Sequence, residues 1–250
     1  MTPIQTPRTA LVTGGTSGIG EAIAIALHDA GHRVVVTCHE GVEDPARWRD
    51  AQAAQGRSVR VEPVDVADYD SCQAMAARLH GDGVEIDILV NDAGITRDAT
   101  FRRMDKAMWD AVLRTNLDSM FNVTKPFADG MAARGWGRIV NISSVNGTKG
   151  QFGQTNYSAA KAGVQGFTRA LAQELARKGV TVNAVSPGYV GTALVTSMKP
   201  EIVESIVAQV PMGRLGRPGE IAAVVAFLCS EGAAYVTGAN IPVNGGQHMC

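Results

Sequence analysis

The chain has 250 residues, of which 45% are hydrophobic and 19% are charged, and its formal net charge is −1. These values are typical of a globular protein with one large core, and they give no electrostatic reason to expect binding to nucleic acid or to an anionic membrane. The four cysteines and five histidines have no metal-ligand spacing, so we expect no metal site. No apolar run is long enough to cross a bilayer and no signal peptide is evident, which predicts a cytoplasmic protein.

Strand-like and helix-like segments alternate along the chain. The predicted strands are Thr9–Thr13, Arg33–Thr37, Val59–Pro63, Ile86–Asn91, Arg138–Ser143, Val180–Ser186 and Asn240–Val243. The predicted helices follow the glycine-rich segment after the first strand and lie near 68–80, 104–115, 118–134, 156–178 and 217–229. This alternation predicts an α/β fold, a single-domain Rossmann-type doubly wound parallel sheet of about seven strands with helices on both faces.

A glycine-rich turn follows the first predicted strand directly. Its sequence is Gly14-Gly15-Thr16-Ser17-Gly18-Ile19-Gly20, and apolar residues then recur at helical spacing from residue 22 to residue 27. Glycines let the backbone approach a phosphate, and a new helix presents free N–H groups and the positive end of its dipole. The turn therefore predicts a nucleotide-phosphate site, although a tight strand-to-helix connection without a ligand has the same pattern.

Tyr157 and Lys161 are four residues apart, and Ser144 lies thirteen residues before the tyrosine. Residues at i and i+4 share one face of a helix. We expect the ammonium to favour the phenolate and so to lower the pKa of Tyr157 from its usual value of about 10. A tyrosine of this kind can act as an acid or a base near neutral pH. Such a pair also arises by chance, so its meaning depends on the surrounding motifs.

Taken together, the motifs resemble those of the short-chain dehydrogenase/reductase family. The matching residues are Thr13-Gly14-xxx-Gly18-x-Gly20, Asn91-Asp92-Ala93-Gly94, Asn116, Ser144, Tyr157 with Lys161, and Pro187-Gly188. Asp92 is a departure, because the family usually has a second asparagine there. The resemblance implies one domain over residues 1–250, with a cofactor half at about 8–115 and a catalytic and substrate half at about 116–250.

The resemblance also implies catalytic roles for Asn116, Ser144, Tyr157 and Lys161 in hydride transfer from NAD(P)H. Tyr157 is expected to protonate the developing alkoxide, while Ser144 donates a hydrogen bond to the same oxygen. Lys161 is expected to tune Tyr157 and to bind the nicotinamide ribose. Asn116 is expected to hold a water that connects Lys161 to solvent, with a hydrogen bond at a helix end as the alternative. Ser143 competes with Ser144, and the family spacing favours Ser144.

The expected cofactor site lies at the carboxyl ends of the strands. The residues assigned to it by the resemblance are Gly14, Thr16, Ser17, Gly18, Ile19, Gly20, His39, Glu40, Asp65, Val66, Asn91, Ala93, Gly94, Tyr157, Lys161, Pro187, Gly188, Val190 and Thr192.

The choice between NADH and NADPH depends on the residues after the second strand. Cys38 occupies the position of the aspartate that is typical of NAD enzymes, and Ser17 stands where an arginine would favour NADP. The run 39–44 nevertheless contains three carboxylates and no lysine or arginine, which would repel a 2′-phosphate unless Arg47 or protonated His39 turned inward. We expect a preference for NADH, with NADPH as the close alternative.

The runs 139–147 and 149–157 around Ser144 and Tyr157, extended by the segments 101–104, 121–125 and 244–249, closely resemble those of acetoacetyl-CoA reductases of polyhydroxybutyrate synthesis. This resemblance implies reduction of acetoacetyl-CoA, or a similar short 3-ketoacyl thioester, to the (R)-3-hydroxyacyl product. The residues expected to contact the substrate are Asp98, Ser144, Gln151, Phe152, Gln154, Tyr157, Gly188 and Tyr189.

Two other functions share this sequence pattern. A 3-oxoacyl-[acyl-carrier-protein] reductase would have the same catalytic residues and would dock its carrier protein on basic residues, for which Arg134, Arg138 and Lys178 are candidates. A non-catalytic NAD(P)-binding protein is the third reading, which the complete catalytic set disfavours. The resemblance further implies a homotetramer. The apolar residues of the helix after Asn116 that could form an interface are Met120, Val123, Phe127 and Met131.

Overall fold

Seven strands form one parallel sheet in the order β3-β2-β1-β4-β5-β6-β7. The computed structural model of the protein describes residues 7–39 and 44–249, without the side chain of Leu194. The strands are β1 (Thr9–Val12), β2 (Arg33–Cys38), β3 (Val59–Pro63), β4 (Ile88–Asn91), β5 (Gly137–Ile142), β6 (Val180–Pro187) and β7 (Asn240–Val243). Strand order reverses between β1 and β4, so the carboxyl ends of these two strands diverge and open a crevice.

The helices follow the alternation that the sequence predicts. They are α1 (Gly18–Asp29), α2 (Pro45–Ala53), α3 (Tyr69–Gly81), α4 (Lys106–Leu113), α5 (Ser119–Arg134), α6 (Asn146–Lys149), α7 (Thr155–Leu175), α8 (Ala193–Thr196), α9 (Pro200–Val207) and α10 (Pro218–Cys229). A π-helical segment, Arg114–Asp118, joins α4 to α5.

Alternate residues of each strand face opposite layers of helices, as the pleat requires. Ala10 and Val12 of β1 pack on one face with residues of α1 and α10, whereas Leu11 packs on the other face with residues of α3, α5 and α7. Apolar side chains are therefore buried on both faces, which is why the strands read as continuous apolar runs. The predicted doubly wound α/β fold is confirmed.

The bounds of the predicted elements agree with the structure to within a few residues, but some helices were not expected. No helix was predicted between the second and third strands, and residues 45–53 form α2 there. The helix α2 has few apolar residues to reveal it, but its start carries a recognisable signal. Asp44 accepts a hydrogen bond from the Arg47 N–H at 3.0 Å, and Pro45 occupies the first helical position.

The apolar face that was considered for subunit contact belongs to the core. Met120, Val123, Phe127 and Met131 are all nearly inaccessible, and the last three pack within the layer formed with α3. Phe121 is the large apolar residue of α5 that stays exposed, at 53%, and it stacks on Tyr69 with ring centroids 6.1 Å apart. In the described part of the chain, no helix has the length and apolar character needed to span a membrane.

Candidate active site

The turn between β1 and α1 packs tightly against the loop that follows β4. Gly14 has a φ of 64°, and a side chain on it would come within 3.2 Å of the Ala93 Cα. A side chain on Gly20 would overlap the Gly14 carbonyl oxygen and lie 2.7 Å from Asp92 Oδ2. The Thr13 hydroxyl accepts hydrogen bonds from the N–H groups of Asp92 and Ala93, at 3.0 and 3.1 Å. Gly14 and Gly20 are therefore required because the turn and the loop after β4 approach each other too closely for side chains at these positions.

A cavity of about 350 Å³ opens above this turn, in the crevice at the carboxyl ends of the strands. It is lined by Gly14, Ser17, Gly18, Ile19, Asp92, Ala93, Gly94, Ile95, Thr96, Ile142, Ser143, Ser144, Tyr157, Lys161, Pro187, Gly188, Thr192 and Ala193. The structure therefore brings the glycine turn and the predicted Ser144, Tyr157 and Lys161 around one space.

Ser144 and Tyr157 line the same cavity, and the Ser144 hydroxyl lies close enough to the phenol to favour its charged form. The neighbouring Ser143 is engaged elsewhere, because its hydroxyl donates to the Lys161 carbonyl at 2.9 Å and accepts from Gln165 Nε2 at 3.3 Å. This geometry separates the two adjacent serines. Ser144 reaches the tyrosine, and Ser143 fastens α7 to the end of β5.

Lys161 is buried on the same face of α7 as Tyr157. Its Nζ lies 5.7 Å from the centre of the Tyr157 ring and donates to the Ile142 carbonyl at 2.7 Å. Burial lowers the pKa of Lys161 to about 8, and the Asp92 carboxylate acts in the opposite direction. Burial likewise raises the pKa of Asp92 to about 7, and the Lys161 charge and the Gly20 N–H oppose that rise.

The expected lowering of the Tyr157 pKa is wrong for this structure. Burial raises the pKa of Tyr157 to about 12, the hydrogen bond from Ser144 lowers it, and the carboxylates of Asp92 and Asp98 raise it further. Desolvation of the phenolate is the largest of these effects, although the residue as a whole is only partly buried. Lys161 directs its ammonium at a backbone carbonyl instead of the phenol oxygen.

Asn116 lies in the π-helical segment, fully buried. Its carboxamide donates to the Ile95 carbonyl and accepts from the Ile95 N–H, both at 2.8 Å. It is not among the described residues that line the cavity. The structure thus places the Asn116 side chain as a clamp on the loop after β4, and Ile95 in that loop does reach the cavity.

The other residues assigned to the cofactor divide into two groups. Ala93, Gly94, Pro187, Gly188 and Thr192 line the cavity with the glycine turn, whereas Asn91, Asp65, Val66, His39 and Val190 do not. Asn91 is buried and donates to Asn141 Oδ1 at 2.8 Å and to Thr124 Oγ1 at 3.2 Å, so it ties β4 to β5 and α5. Glu40 lies outside the described residues.

Asp65, Val66 and Val190 have structural contacts. Asp65 Oδ1 accepts from the Ala67 N–H at 2.9 Å, and the Val66 carbonyl accepts from Asn122 Nδ2 at 3.1 Å. Val190 is buried and forms a β-bridge with Gly216. His39 follows the end of β2 and is exposed.

A second cavity, of about 160 Å³, adjoins the first and shares Ser144, Tyr157, Thr96 and Gly188 with it. Its other lining residues are Asp98, Val145, Asn146, Gln154, Tyr189, Val195 and Met198. The structure therefore brings together six of the eight residues assigned to the substrate: Asp98, Ser144, Gln154, Tyr157, Gly188 and Tyr189.

Gln151 and Phe152 are the two substrate candidates that the structure leaves out of this wall. Phe152 is 86% exposed, and Gln151 Oε1 accepts from Lys149 Nζ at 2.8 Å. Sequence reasoning missed Thr96, Asn146, Val195 and Met198. Asn146 carried a signal in its position two residues after Ser144, but Val195 and Met198 come from short segments without any motif.

Comparison with known proteins agrees with this geometry. Residues 14–248 match the model of the family described as enoyl-(acyl carrier protein) reductase. The chain is 54% identical over 245 residues to the acetoacetyl-CoA reductase of Cupriavidus necator, covering 98% of this chain and 100% of that one. It is 56% identical to nodulation protein G of Azospirillum brasilense, covering 95% and 96% of the two chains.

Two further relatives widen the comparison. The chain is 45% identical to the 3-oxoacyl-[acyl-carrier-protein] reductase of Pseudomonas aeruginosa, covering 97% and 98%. A solved structure, a putative gluconate dehydrogenase from Agrobacterium tumefaciens, superposes with a TM-score of 0.92 at 34% identity, covering 98% and 97%. The sequence motifs, the sheet order and these matches lead to one conclusion. The chain belongs to the short-chain dehydrogenase/reductase family.

Proposed function

We propose that the protein is an acetoacetyl-CoA reductase, which transfers hydride from NAD(P)H to the 3-keto carbon of acetoacetyl-CoA and forms (R)-3-hydroxybutyryl-CoA. The observation that carries the proposal is that Ser144 and Tyr157 line one cavity together, with Lys161 Nζ 5.7 Å from the centre of the tyrosine ring. Both residues lie where the cavity above the glycine-rich turn meets the second, smaller cavity. The similarity to acetoacetyl-CoA reductases over nearly the whole chain supports the substrate.

The first cavity fits a dinucleotide. Its floor is the start of α1, where Ser17 makes no side-chain cap and the N–H groups of Gly18 and Ile19 are left for a ligand. Thr16 lines a further cavity beside the turn, where its hydroxyl is buried and has no hydrogen-bond partner among the described residues, which suits a ligand that carries ribose hydroxyls. When bound, a reduced nicotinamide supplies the hydride.

The protein's own groups supply the proton. Because burial raises the pKa of Tyr157 to about 12, the phenol is protonated at neutral pH and begins the reduction as an acid. Ser144 and Tyr157 both face the oxygen of a ketone placed in the second cavity, so the developing alkoxide receives a hydrogen bond from Ser144 and the proton from Tyr157. The Ser144 hydroxyl then stabilises the phenolate that remains, and the Lys161 ammonium, 5.7 Å from the centre of the ring, acts on it only at longer range.

NADH is the cofactor that the second-strand region favours. The further cavity beside the turn is lined by Thr16, Ser17, Asp44, Arg47, Trp48 and Ala51. A 2′-phosphate there would meet the Asp44 carboxylate, which is held in place as the cap of α2 by the Arg47 N–H. The guanidinium of Arg47 in the same cavity partly offsets this repulsion. NADPH should therefore also be used, but more slowly than NADH.

The structure weakens the case for a carrier-protein substrate. Arg134 is committed to Glu85 at 2.6 Å, and Arg138 is buried against the Trp136 ring. Of the three proposed docking cations, Lys178 is the one that is exposed and also has no ion pair within 4 Å among the described residues.

Steady-state assays test the proposal. The protein is given acetoacetyl-CoA or the matching carrier-protein thioester, each with NADH and with NADPH, and the loss of reduced nicotinamide is followed. We expect the highest kcat/KM with acetoacetyl-CoA and NADH, and Asp44→Ser to raise the kcat/KM for NADPH. A higher kcat/KM for the carrier-protein thioester would contradict the substrate, and a strong NADPH preference would contradict the cofactor.

A further inference from the structure

Asn146 occupies the wall of the second cavity and has no role in the mechanism above. It is 7% exposed and lies two residues after Ser144, at the start of α6. Its backbone N–H donates to Ser144 Oγ at 3.1 Å, and its side chain donates to Gln154, which in turn donates to Asp98. It therefore connects the catalytic serine to the substrate wall.

The orientation of the Asn146 carboxamide is fixed by its neighbours. A carboxylate oxygen only accepts, so Gln154 must turn its Nε2 to Asp98 Oδ2, 2.8 Å away. Gln154 Oε1 then faces Asn146 and must receive a donor, which is Asn146 Nδ2 at 2.9 Å. These two hydrogen bonds fix the orientation of the Asn146 carboxamide, so that its Nδ2 faces Gln154 and its Oδ1 points away from it.

That remaining atom, Asn146 Oδ1, is buried and has no hydrogen-bond partner among the described residues. Buried acceptors in folded proteins are nearly always paired, with protein, water or ligand. Because Asn146 lines the second cavity, a ligand bound there can supply the missing donor.

The chemistry of a 3-ketoacyl thioester limits which of its groups can be that donor. The four-carbon acyl part offers two carbonyl oxygens and no N–H or O–H group. The nearest donor is the first amide N–H of the arm attached to the sulfur. On the basis of the proposed thioester reductase function, we propose that Asn146 is a specificity-determining residue whose carboxamide oxygen accepts this amide N–H.

Two small substrates separate this contact from the chemistry at the ketone. S-acetoacetyl-N-acetylcysteamine carries the amide N–H, and ethyl acetoacetate lacks it. Asn146→Leu removes the acceptor with little change in volume, and Asn146→Ala serves the same purpose if the leucine variant does not fold. Asn146→Asp is the matched control, because it keeps an acceptor at this position while losing the donor to Gln154.

We expect Asn146→Leu to lower kcat/KM for the cysteamine thioester by about tenfold, mainly through KM, and to leave ethyl acetoacetate within about twofold of wild type. Asn146→Asp should retain the wild-type ratio between the two substrates. An equal loss for both substrates in Asn146→Leu, or no loss for either, would overturn the inference. Failure of the wild-type protein to reduce either substrate would be a different result, since it would overturn the proposed function itself.

Discussion

Tyr157 is the residue on which the proposed chemistry depends most directly. Its spacing to Lys161 predicted a shared helix face, and the structure places both side chains at one cavity. The spacing could not predict the direction of the pKa change, because that depends on how deeply the ring is enclosed and on where the ammonium points. Both depend on tertiary packing of α7 against the loops after β4 and β5.

Replacing Tyr157 by phenylalanine removes the proton donor and leaves the ring in place. We expect kcat for acetoacetyl-CoA reduction to fall by roughly 10²–10⁴-fold. Binding of NADH, measured by fluorescence, should change little because the glycine turn is untouched. Turnover close to that of wild type would show that another group protonates the product.

Asp92 is the residue that departs from the family pattern, and it lies in the same cavity as Lys161. Its carboxylate favours the charged form of Lys161, whose pKa burial lowers to about 8. In Asp92→Asn that support is lost, so the lysine should lose its proton at a lower pH. If activity requires the ammonium, the alkaline fall of kcat/KM should move to lower pH than in the wild type.

The measurement for Asp92→Asn is a pH profile of kcat/KM in both proteins at saturating NADH. Ser71→Ala, outside the cavity, provides a comparison that should keep the wild-type alkaline limb. An alkaline limb that stays in place or moves to higher pH in Asp92→Asn would show that Lys161 does not control it.

At the scale of elements, the strands and the amphipathic helices were predictable because their apolar spacing is strong. Helix α2 was missed because its interior is polar and only Asp44 and Pro45 mark its start. The π-helical character of Arg114–Asp118 gives no sequence signal of the kind that apolar spacing provides. The wall of the second cavity was predicted only in part, since α8 and its neighbours carry no motif.

At the junction between the glycine turn and α1, Gly20 has no room for a side chain. Gly20→Ala should lower the free energy of unfolding by roughly 1–3 kcal/mol, because the new methyl group would overlap the Gly14 carbonyl and press on Asp92. It should also weaken NADH binding by displacing the turn. Chemical denaturation and NADH titration measure the two effects.

Gly81→Ala is the matched control for Gly20→Ala. Gly81 ends α3, and a side chain there would meet nothing within 4 Å. We expect its unfolding free energy to stay within about 0.5 kcal/mol of wild type or to rise. Equal stability and equal NADH affinity in the two alanine variants would contradict the close approach at Gly20.

At the scale of the whole molecule, the seven-stranded order explains why residues distant in sequence share one site. Residues from the loops after β1, β4, β5 and β6 meet at a single edge, as the carboxyl ends of parallel strands must. The alternation of strands and helices predicted this convergence, because it indicates a parallel sheet. The sequence could not predict the quaternary surface, because most large apolar residues of α5 serve the core and Phe121 is the one that stays exposed.

We propose that the protein forms a homotetramer and that the stacked pair Tyr69–Phe121 lies in one of its interfaces. Phe121→Glu would place a charge in that apolar contact and should lower the mass seen by sedimentation at equal protein concentration. Its circular dichroism spectrum should stay native, because the side chain is already half exposed. An unchanged mass would place the subunit contacts elsewhere.

The five-residue π-helical segment between α4 and α5 holds one residue more than a regular α-helical path would need. Removing a single residue before Asn116, such as Thr115, would let the two helices join smoothly and would turn the asparagine by about 100° around the axis. Such a shortened protein should melt at a temperature no lower than its parent, and yet the loop after β4 would lose the anchor that Asn116 provides at Ile95. A regular helix between α4 and α5 would therefore leave the loop beside the cavity without its anchor, and the chain keeps the π-helical segment that provides it.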